Sequence, residues 1–322
     1  MPRPRFHNPW SDGEQSFIEI LKWKLGRLEP DPVVSGGPEM QRPPEVIPLG
    51  PESMASAPVA GWRVTWLGHA SFLVQGAGLS LLIDPIFSEF CSPLPIGSLR
   101  RLVPPPCSLT DLPPIDAILV THGHYDHLDL DTLRAFGRDT RIITSAGHSG
   151  WLGRKLRREV DELGWHDSAS LGHGVTLTGT PAQHFSARTP FDRNQSHWGG
   201  WLIDDGRLKL WHAGDSAYCP AFTEIGERHG PIDFGMIPIG AYSPRVIMRD
   251  VHMNPEEAVQ AFIDARCRRA MGMHYGTFRL TDEPLGEPPV RLAAELRKRG
   301  IAPDRFTTGP VGGVWQVDGP GM

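Results

Sequence analysis

Three histidines and an aspartate crowd into one short run of this chain, Thr121-His122-Gly123-His124-Tyr125-Asp126-His127. The spacing H-x-H-x-D-H sets imidazoles and a carboxylate where a chain curling after a strand can aim them at one point. Neutral imidazole and carboxylate are suitable zinc ligands, and imidazole also suits iron or nickel. The stretch just before, Asp116 to Thr121 (DAILVT), is apolar and reads as a buried strand ending at the cluster. One cluster cannot complete two sites, so further ligands are sought at other strand ends, where ligands gather in layered α/β folds. Three positions fit. His184 ends Leu177 to His184, Asp215 ends Leu208 to Asp215, and His274 ends Ala270 to His274.

The elements that must position these groups begin near Gly61. Arg63 to Leu67, Ser71 to Gln75 and Leu79 to Asp84 read as short strands joined by glycine-containing turns. Helical patterns then alternate with strands: Leu130 to Phe136, Trp151 to Leu163, Pro220 to Arg228, Pro255 to Arg266 and Val290 to Arg299. Asn254-Pro255-Glu256-Glu257 is a well-formed helix start, with Asn as N-cap, Pro at the first helical position and acids in the first turn. Strands then helices, twice over, predict a layered α/β protein with sheets inside and helices outside. Residues 1–60 differ. They form a Pro-rich N-terminal arm in which Glu14 to Leu28 reads as a short amphipathic helix. Phe17, Leu21 and Trp23, with Lys22, Lys24 and Arg27 nearby, suit either a membrane surface or a packing contact. The expected division is thus an arm, 1–60, and a catalytic domain, 61–322.

Bulk composition excludes several classes. The chain has 322 residues, 39% of them hydrophobic, and a formal net charge of −5. That suits a globular protein and argues against nucleic acid as a partner. The four cysteines, Cys91, Cys107, Cys219 and Cys267, form no C-x-x-C pair, so neither a disulfide framework nor a cysteine-rich zinc site is expected. No apolar run reaches the ~20 residues that span a bilayer. No signal-peptide core follows the basic start, so the expected location is the cytoplasm, with peripheral contact at the inner membrane surface.

The ligand series H-x-H-x-D-H, then strand-end His, Asp and His, resembles that of the metallo-β-lactamase superfamily. Within it the chain is similar to the N-acyl-phosphatidylethanolamine-hydrolysing phospholipase D family and its bacterial relatives. The shared stretches include Thr65 to Ser71 (TWLGHAS), Asp84 to Ser88 (DPIFS), Ala213 to Phe222 (AGDSAYCPAF), Ile237 to Tyr242 (IPIGAY) and Asn254 to Ala258 (NPEEA). Phe6-His7-Asn8-Pro9-Trp10 extends the likeness into the arm. The resemblance implies an αβ/βα four-layer sandwich and two Zn2+ ions, with other divalent metals as substitutes. It implies that His122, His124 and His184 hold one metal, that Asp126, His127 and His274 hold the other, and that Asp215 bridges them. Asp126 and Asp215 are then the catalytic carboxylates, and a hydroxide shared by the metals attacks phosphorus. Asp84 is a candidate to orient a ligand histidine, and Tyr242, His252 and His69 are candidate substrate contacts.

The substrate the resemblance implies is a phospholipid, cleaved to phosphatidic acid and an N-acylethanolamine, by a chain that could pair as a homodimer. Two departures from the animal enzymes fall in loops that choose substrates. Arg245-Val246-Ile247-Met248 lacks an aromatic residue, and Met253-Asn254 stands for Val-Asp. The rival readings are a soluble hydrolase of another phosphodiester or a sugar-phosphate lactone, and a non-catalytic zinc-binding interaction protein. A lactonase of phosphorylated sugars needs a basic pocket mouth, for which Arg188, Arg193 and Arg245 are the candidates.

Overall fold

The computed structural model describes residues 6–11, 17–32, 38–55, 57–189 and 191–319. Strands β1 (Trp62–Gly68), β2 (Ser71–Gly76), β3 (Leu79–Ile83), β4 (Ala117–Val120), β5 (Arg141–Ser145) and β6 (Asp161–Leu163) lie side by side in one sheet. Strands β7 (Ser168–Gly172), β8 (Val175–Thr180), β9 (Gly200–Asp204), β10 (Lys209–His212), β11 (Ile232–Pro238), β12 (Cys267–Met273) and β13 (Phe306–Thr307) form a second. The last strand, β14 (Val314–Val317), returns to pair with β1. Each sheet is antiparallel on one side, where hairpins connect it, and parallel on the other. The helices are α1 (Phe17–Lys24), α2 (Pro51–Met54), α3 (Leu130–Arg134), α4 (Ser149–Leu156), α5 (Ala221–His229), α6 (Arg245–Met248), α7 (Pro255–Asp264) and α8 (Glu287–Lys298).

Side-chain alternation explains the layers. Along β3 and β4, Leu81, Ile83, Ala117 and Leu119 enter the core between the sheets, where they meet Leu177, Ile203, Leu210 and Phe234. Their neighbours Leu82, Ile118 and Val120 point the other way, onto Leu133 of α3 and Leu152 of α4. Both faces of these parallel strands are covered, which is why DAILVT reads as an unbroken apolar run. On the outer side of the second sheet, Ala258, Val259 and Phe262 of α7 and Leu292 and Leu296 of α8 pack against it, continuous with that core. Each fully buried Val, Leu, Ile or Phe among them contributes about 1.5–3 kcal/mol. Helix, sheet, sheet, helix is the expected four-layer sandwich. Helix α7 starts as the sequence predicts: the Glu257 N–H donates to Asn254 Oδ1 (2.9 Å) and the Asn254 N–H donates to Glu257 Oε2 (3.0 Å).

One element departs from expectation. The helix read over Trp151 to Leu163 ends at Leu156, where Arg157 turns left-handed (φ 54°, ψ 44°). Asp161–Leu163 leave it to pair in parallel with β5, whose edge offers ladder hydrogen bonds that a longer helix would forgo. In the arm, only Phe17–Lys24 of the expected Glu14 to Leu28 helix is helical among the described residues, and 12–16 lie outside them. Met40 and Met54 are buried, and Val46 bridges to Val311.

Candidate metal centre

The loop from Thr121 to Asp129 leaves the end of β4 and closes on itself, with the Leu128 N–H donating to the His124 carbonyl (2.8 Å). Asp129 then caps α3, accepting the Asp131 N–H at 3.1 Å. Gly123 is required by a close approach rather than by backbone angle. A Cβ there would lie 2.8 Å from both the His148 ring and Ser186 Oγ. His184 lies in the loop after β8, Asp215 in the turn after β10, and His274 directly after β12. Gly214 carries a positive φ (65°) and packs against the Gly199 carbonyl, leaving no room for a side chain before Asp215. His69, Asp84 and His274 all hold left-handed backbone (φ 54°, 42° and 63°) at this one place, and strained conformations of that kind concentrate at functional sites.

These loops bring the seven sequence-predicted ligands together, with His69 beside them, as two adjoining groups: His122, His124, His184 and Asp215, and His69, Asp126, His127 and His274. Asp215 Oδ2 lies between them. It is 3.0 Å from His274 Nε2 and 3.1 Å from His127 Nε2, and 3.8 Å and 3.9 Å from the Nε2 atoms of His184 and His122. A third group, Asp215, His252 and His274, overlaps both.

In three of the ligand histidines the outer ring nitrogen is committed elsewhere. His127 Nδ1 donates to Asp84 Oδ2 at 2.7 Å, and His184 Nδ1 donates to the Val251 carbonyl at 2.8 Å. Asp84 also accepts the Thr121 N–H (2.7 Å) and the Thr121 hydroxyl (2.5 Å). That hydroxyl is left to accept from His122 Nδ1, 3.0 Å away. The inner nitrogens of these three rings then carry lone pairs. Each faces a nitrogen of a neighbouring ring, at 2.8 Å (His122 Nε2 and His124 Nδ1), 3.2 Å (His184 Nε2 and His124 Nδ1) and 3.3 Å (His127 Nε2 and His274 Nε2). Asp215 Oδ1 is buried with no partner. Converging lone pairs and carboxylate oxygens in a buried space repel unless a cation or protons intervene, so the donor set fits divalent metal ions.

The titration behaviour agrees. Burial, with neighbouring histidines, pushes His122 well below its ordinary range and His184 down to about 3. Burial also lowers His124 to about 4. These rings are neutral, the ligand form, at pH 7. Burial works against protonation of His274 and His127 too, but there the Asp215 carboxylate leads the opposing charges and wins. It raises His274 to about 9 and His127 well above its ordinary range. Burial would raise Asp126 and Asp215, yet the His127 charge holds both well below the usual carboxylate range. In a metal-free chain, protons on His127 and His274 balance the carboxylates, and a metal would displace them.

The candidate substrate contacts fare differently. His69 Nε2 donates to Asp126 Oδ2 at 2.8 Å, so His69 belongs to the cluster itself. The His252 ring packs on His184 and His274 (ring centroids 4.9 Å and 5.3 Å), and its Nδ1 is buried without a partner. Tyr242 is a correction. It is 1% exposed, its hydroxyl donates to Glu287 Oε1 of α8 (2.8 Å), and Arg291 covers its ring, so it faces away from the site. His212, read as structural, donates Nε2–H to the Ala70 carbonyl (3.0 Å).

A cleft of about 350 Å³ opens over the cluster, with Asp126, Asp215, His124, His252 and His274 at its floor and Ile20, Trp23, Phe185, Ile247, Met248 and Leu280 in its walls. Lys24 is the one lysine or arginine lining it among the described residues. Arg193 instead lies over the Phe185 ring, and Arg245 pairs with Glu257 at 2.9 Å. A larger groove, about 1100 Å³, runs behind the H-x-H-x-D-H loop and shares Tyr125 with the cleft, but it contains none of the clustered histidines.

A profile of the β-lactamase superfamily domain matches residues 80–275. The chain belongs to the metallo-β-lactamase superfamily. It is 38% identical over 264 residues to an uncharacterised protein of Mycobacterium tuberculosis, covering 79% of this chain and 69% of the relative. It is 34% identical over 272 residues to N-acyl-phosphatidylethanolamine-hydrolyzing phospholipase D 1 of Caenorhabditis elegans, covering 80% of this chain and 76% of that one. Among solved structures, the isothiocyanate hydrolase from Delia radicum gut bacteria superposes with a TM-score of 0.63 at 20% identity, over 79% of this chain and 99% of that one. That likeness shows the fold, and the sequence relatives show a metal-dependent hydrolase family. No helix of the described residues is long and apolar enough to cross a membrane.

Proposed function

We propose that this chain is a dinuclear zinc phosphodiesterase of phospholipase D type, which hydrolyses N-acyl-phosphatidylethanolamine to phosphatidic acid and an N-acylethanolamine. The observation that carries the two-metal reading is Asp215 Oδ2, within 3.0–3.9 Å of a ring nitrogen in four histidines drawn from both groups. His122, His124 and His184 would hold one ion and Asp126, His127 and His274 the other, with Asp215 between. Bound there, the ions supply Lewis acidity toward the phosphoryl oxygens and lower the pKa of the attacking water.

The chain's own groups do the rest. Asp126, ionised and facing the cleft, can take a proton at Oδ2, and the neutral His69 beside it keeps that oxygen oriented. Lys24 sits at the cleft edge, where it can meet a phosphate oxygen. The apolar walls exclude water around the scissile bond and strengthen these charge interactions. The volume lies at the low end of the about 300–1,000 Å³ of ligand pockets, so it suits a headgroup. Acyl chains would lie along the mouth, where α1 exposes Ile18 and Leu21 (64% and 48% accessible) and the turn after it exposes Leu25 (56%). Such a patch beside Lys22, Lys24 and Arg27 suits an anionic lipid surface.

The substrate name is supported by the Caenorhabditis elegans relative and by the apolar cleft. The cleft also weighs against a sugar-phosphate lactone, since the arginines such a ligand needs are engaged elsewhere. The test is a panel of N-acyl-phosphatidylethanolamine vesicles, bis(p-nitrophenyl) phosphate and a phosphorylated lactone. Release of N-acylethanolamine in preference to the others is expected. Lactone turnover without phosphodiester turnover would reject the proposal.

A further inference from the structure

The motif Phe6-His7-Asn8-Pro9-Trp10 lies far from the metal cluster in sequence and is used by nothing described so far. In the fold it crosses the loop that carries His184. The Asn8 side-chain amide pairs with the backbone of His184 on both sides: Asn8 Nδ2 donates to the His184 carbonyl (2.8 Å), and the His184 N–H donates to Asn8 Oδ1 (3.2 Å). His184 lies outside every strand, so no sheet ladder supplies those bonds. Its neighbour Gln183 is tied through its own N–H to Ser216 Oγ (2.9 Å), close to Asp215. The motif is itself anchored at both ends. The Phe6 N–H donates to the Asn194 carbonyl (3.0 Å), and Trp10 stacks on Trp165 with ring centroids 5.6 Å apart.

We infer that Asn8 is a positioning residue of the metal centre, which fixes the His184 backbone so that its ring meets His124 and Asp215. The His184 ring then has two fixed points, the Asn8 amide behind its backbone and the Val251 carbonyl on Nδ1. A histidine held at the backbone and at one nitrogen presents the other nitrogen in a single direction, which is what a ligand needs. Removing the Asn8 amide leaves a loop N–H and carbonyl unpaired and lets the ring swing.

This inference rests on the two-metal reading, and the experiment separates the two. Metal-free wild-type protein, Asn8→Ala, Asn8→Asp and the exposed-site control His7→Ala are titrated with Co2+ and Zn2+ against a competing chelator. The cobalt absorption bands are recorded throughout. If the wild type binds neither metal, the metal-centre reading fails. If it binds them, Asn8→Ala is expected to weaken one of its sites about 10-fold or more, the effect typical of lost outer support. Its cobalt spectrum should change, while His7→Ala matches wild type. Asn8→Asp keeps the acceptor for the His184 N–H but loses the donor, and should fall between; it carries the test alone if Asn8→Ala does not fold. Wild-type metal affinity and an unaltered cobalt spectrum in the Asn8 variants would overturn the inference, whatever their melting temperatures.

Discussion

Replacing Asp84 with asparagine changes one oxygen to an amide in the best-connected position behind the metal cluster. The backbone there is left-handed (φ 42°), a conformation asparagine tolerates, so the fold around it should persist. Asp84 accepts from His127 Nδ1, from the Thr121 N–H and from the Thr121 hydroxyl. Through that hydroxyl it also fixes the proton on His122 Nδ1. One carboxylate thereby sets the tautomer of a histidine in each group. An asparagine can keep one acceptor, for the Thr121 N–H, but presents N–H bonds where His127 and the hydroxyl now donate. His127 must then move its proton to Nε2, the nitrogen that faces Asp215, or leave a buried donor unpaired. The second outcome costs about 1–3 kcal/mol. The first withdraws a ligand lone pair, and lost outer partners of metal-bound histidines cost about 10–100-fold in affinity. Asp84→Asn should therefore bind zinc at least about 10-fold more weakly at both sites, measured by chelator competition on metal-free protein. Affinity within about twofold of wild type at both sites would refute this reasoning.

Other expectations are smaller in scope. Arg188 Nη1 donates to the carbonyls of Gly123 and Leu128 (both 2.8 Å), and its guanidinium lies 3.9 Å from the Tyr125 ring centre, so it braces the loop that carries most of the ligands. Arg188→Lys should lose about 1–3 kcal/mol in urea unfolding, since an ammonium cannot both stack and reach two carbonyls; an unchanged midpoint would count against the brace. Burial pushes His148 and His197 down to about 4. The unfolded chain takes up these protons near pH 6.5 and the folded chain does not, so stability is full above pH 6.5 and falls as pH drops toward 4. His148→Gln should flatten that fall by up to about 1.4 kcal/mol per pH unit in metal-free protein; an unaltered slope would show that His148 does not contribute. Leu21→Ser with Leu25→Ser should weaken sedimentation with anionic vesicles while leaving bis(p-nitrophenyl) phosphate turnover near wild type. Equal losses in both would argue against a lipid-docking α1. Deleting the arm is a poorer test, because it also removes Asn8 and the Trp23–Asp282 and Asp31–Ser243 hydrogen bonds.

Much of the centre is legible in the sequence because its geometry is local. H-x-H-x-D-H follows an apolar strand, and a short loop leaves those side chains few directions to take. His184, Asp215 and His274 are legible for a related reason, since each follows a strand that a layered α/β fold must bring to the same end. Tyr242 shows where that logic stops. It too follows a strand, β11, but strand-end placement fixes the backbone and not the side chain, which α8 captures through Glu287 and Arg291. The parallel pairing of Asp161–Leu163 is hidden because three residues carry too little periodicity to betray a strand. The bond between Asn8 and His184 spans 176 residues and depends on how the arm folds back, which no local pattern encodes.

Counting zinc in titrations of the metal-free, folded chain bears on the proposed centre more directly than any substitution. Two equivalents bound per chain, with the release of protons that His127 and His274 would otherwise hold, is the expected result. A folded chain that takes up one equivalent or none would contradict a centre bridged by Asp215.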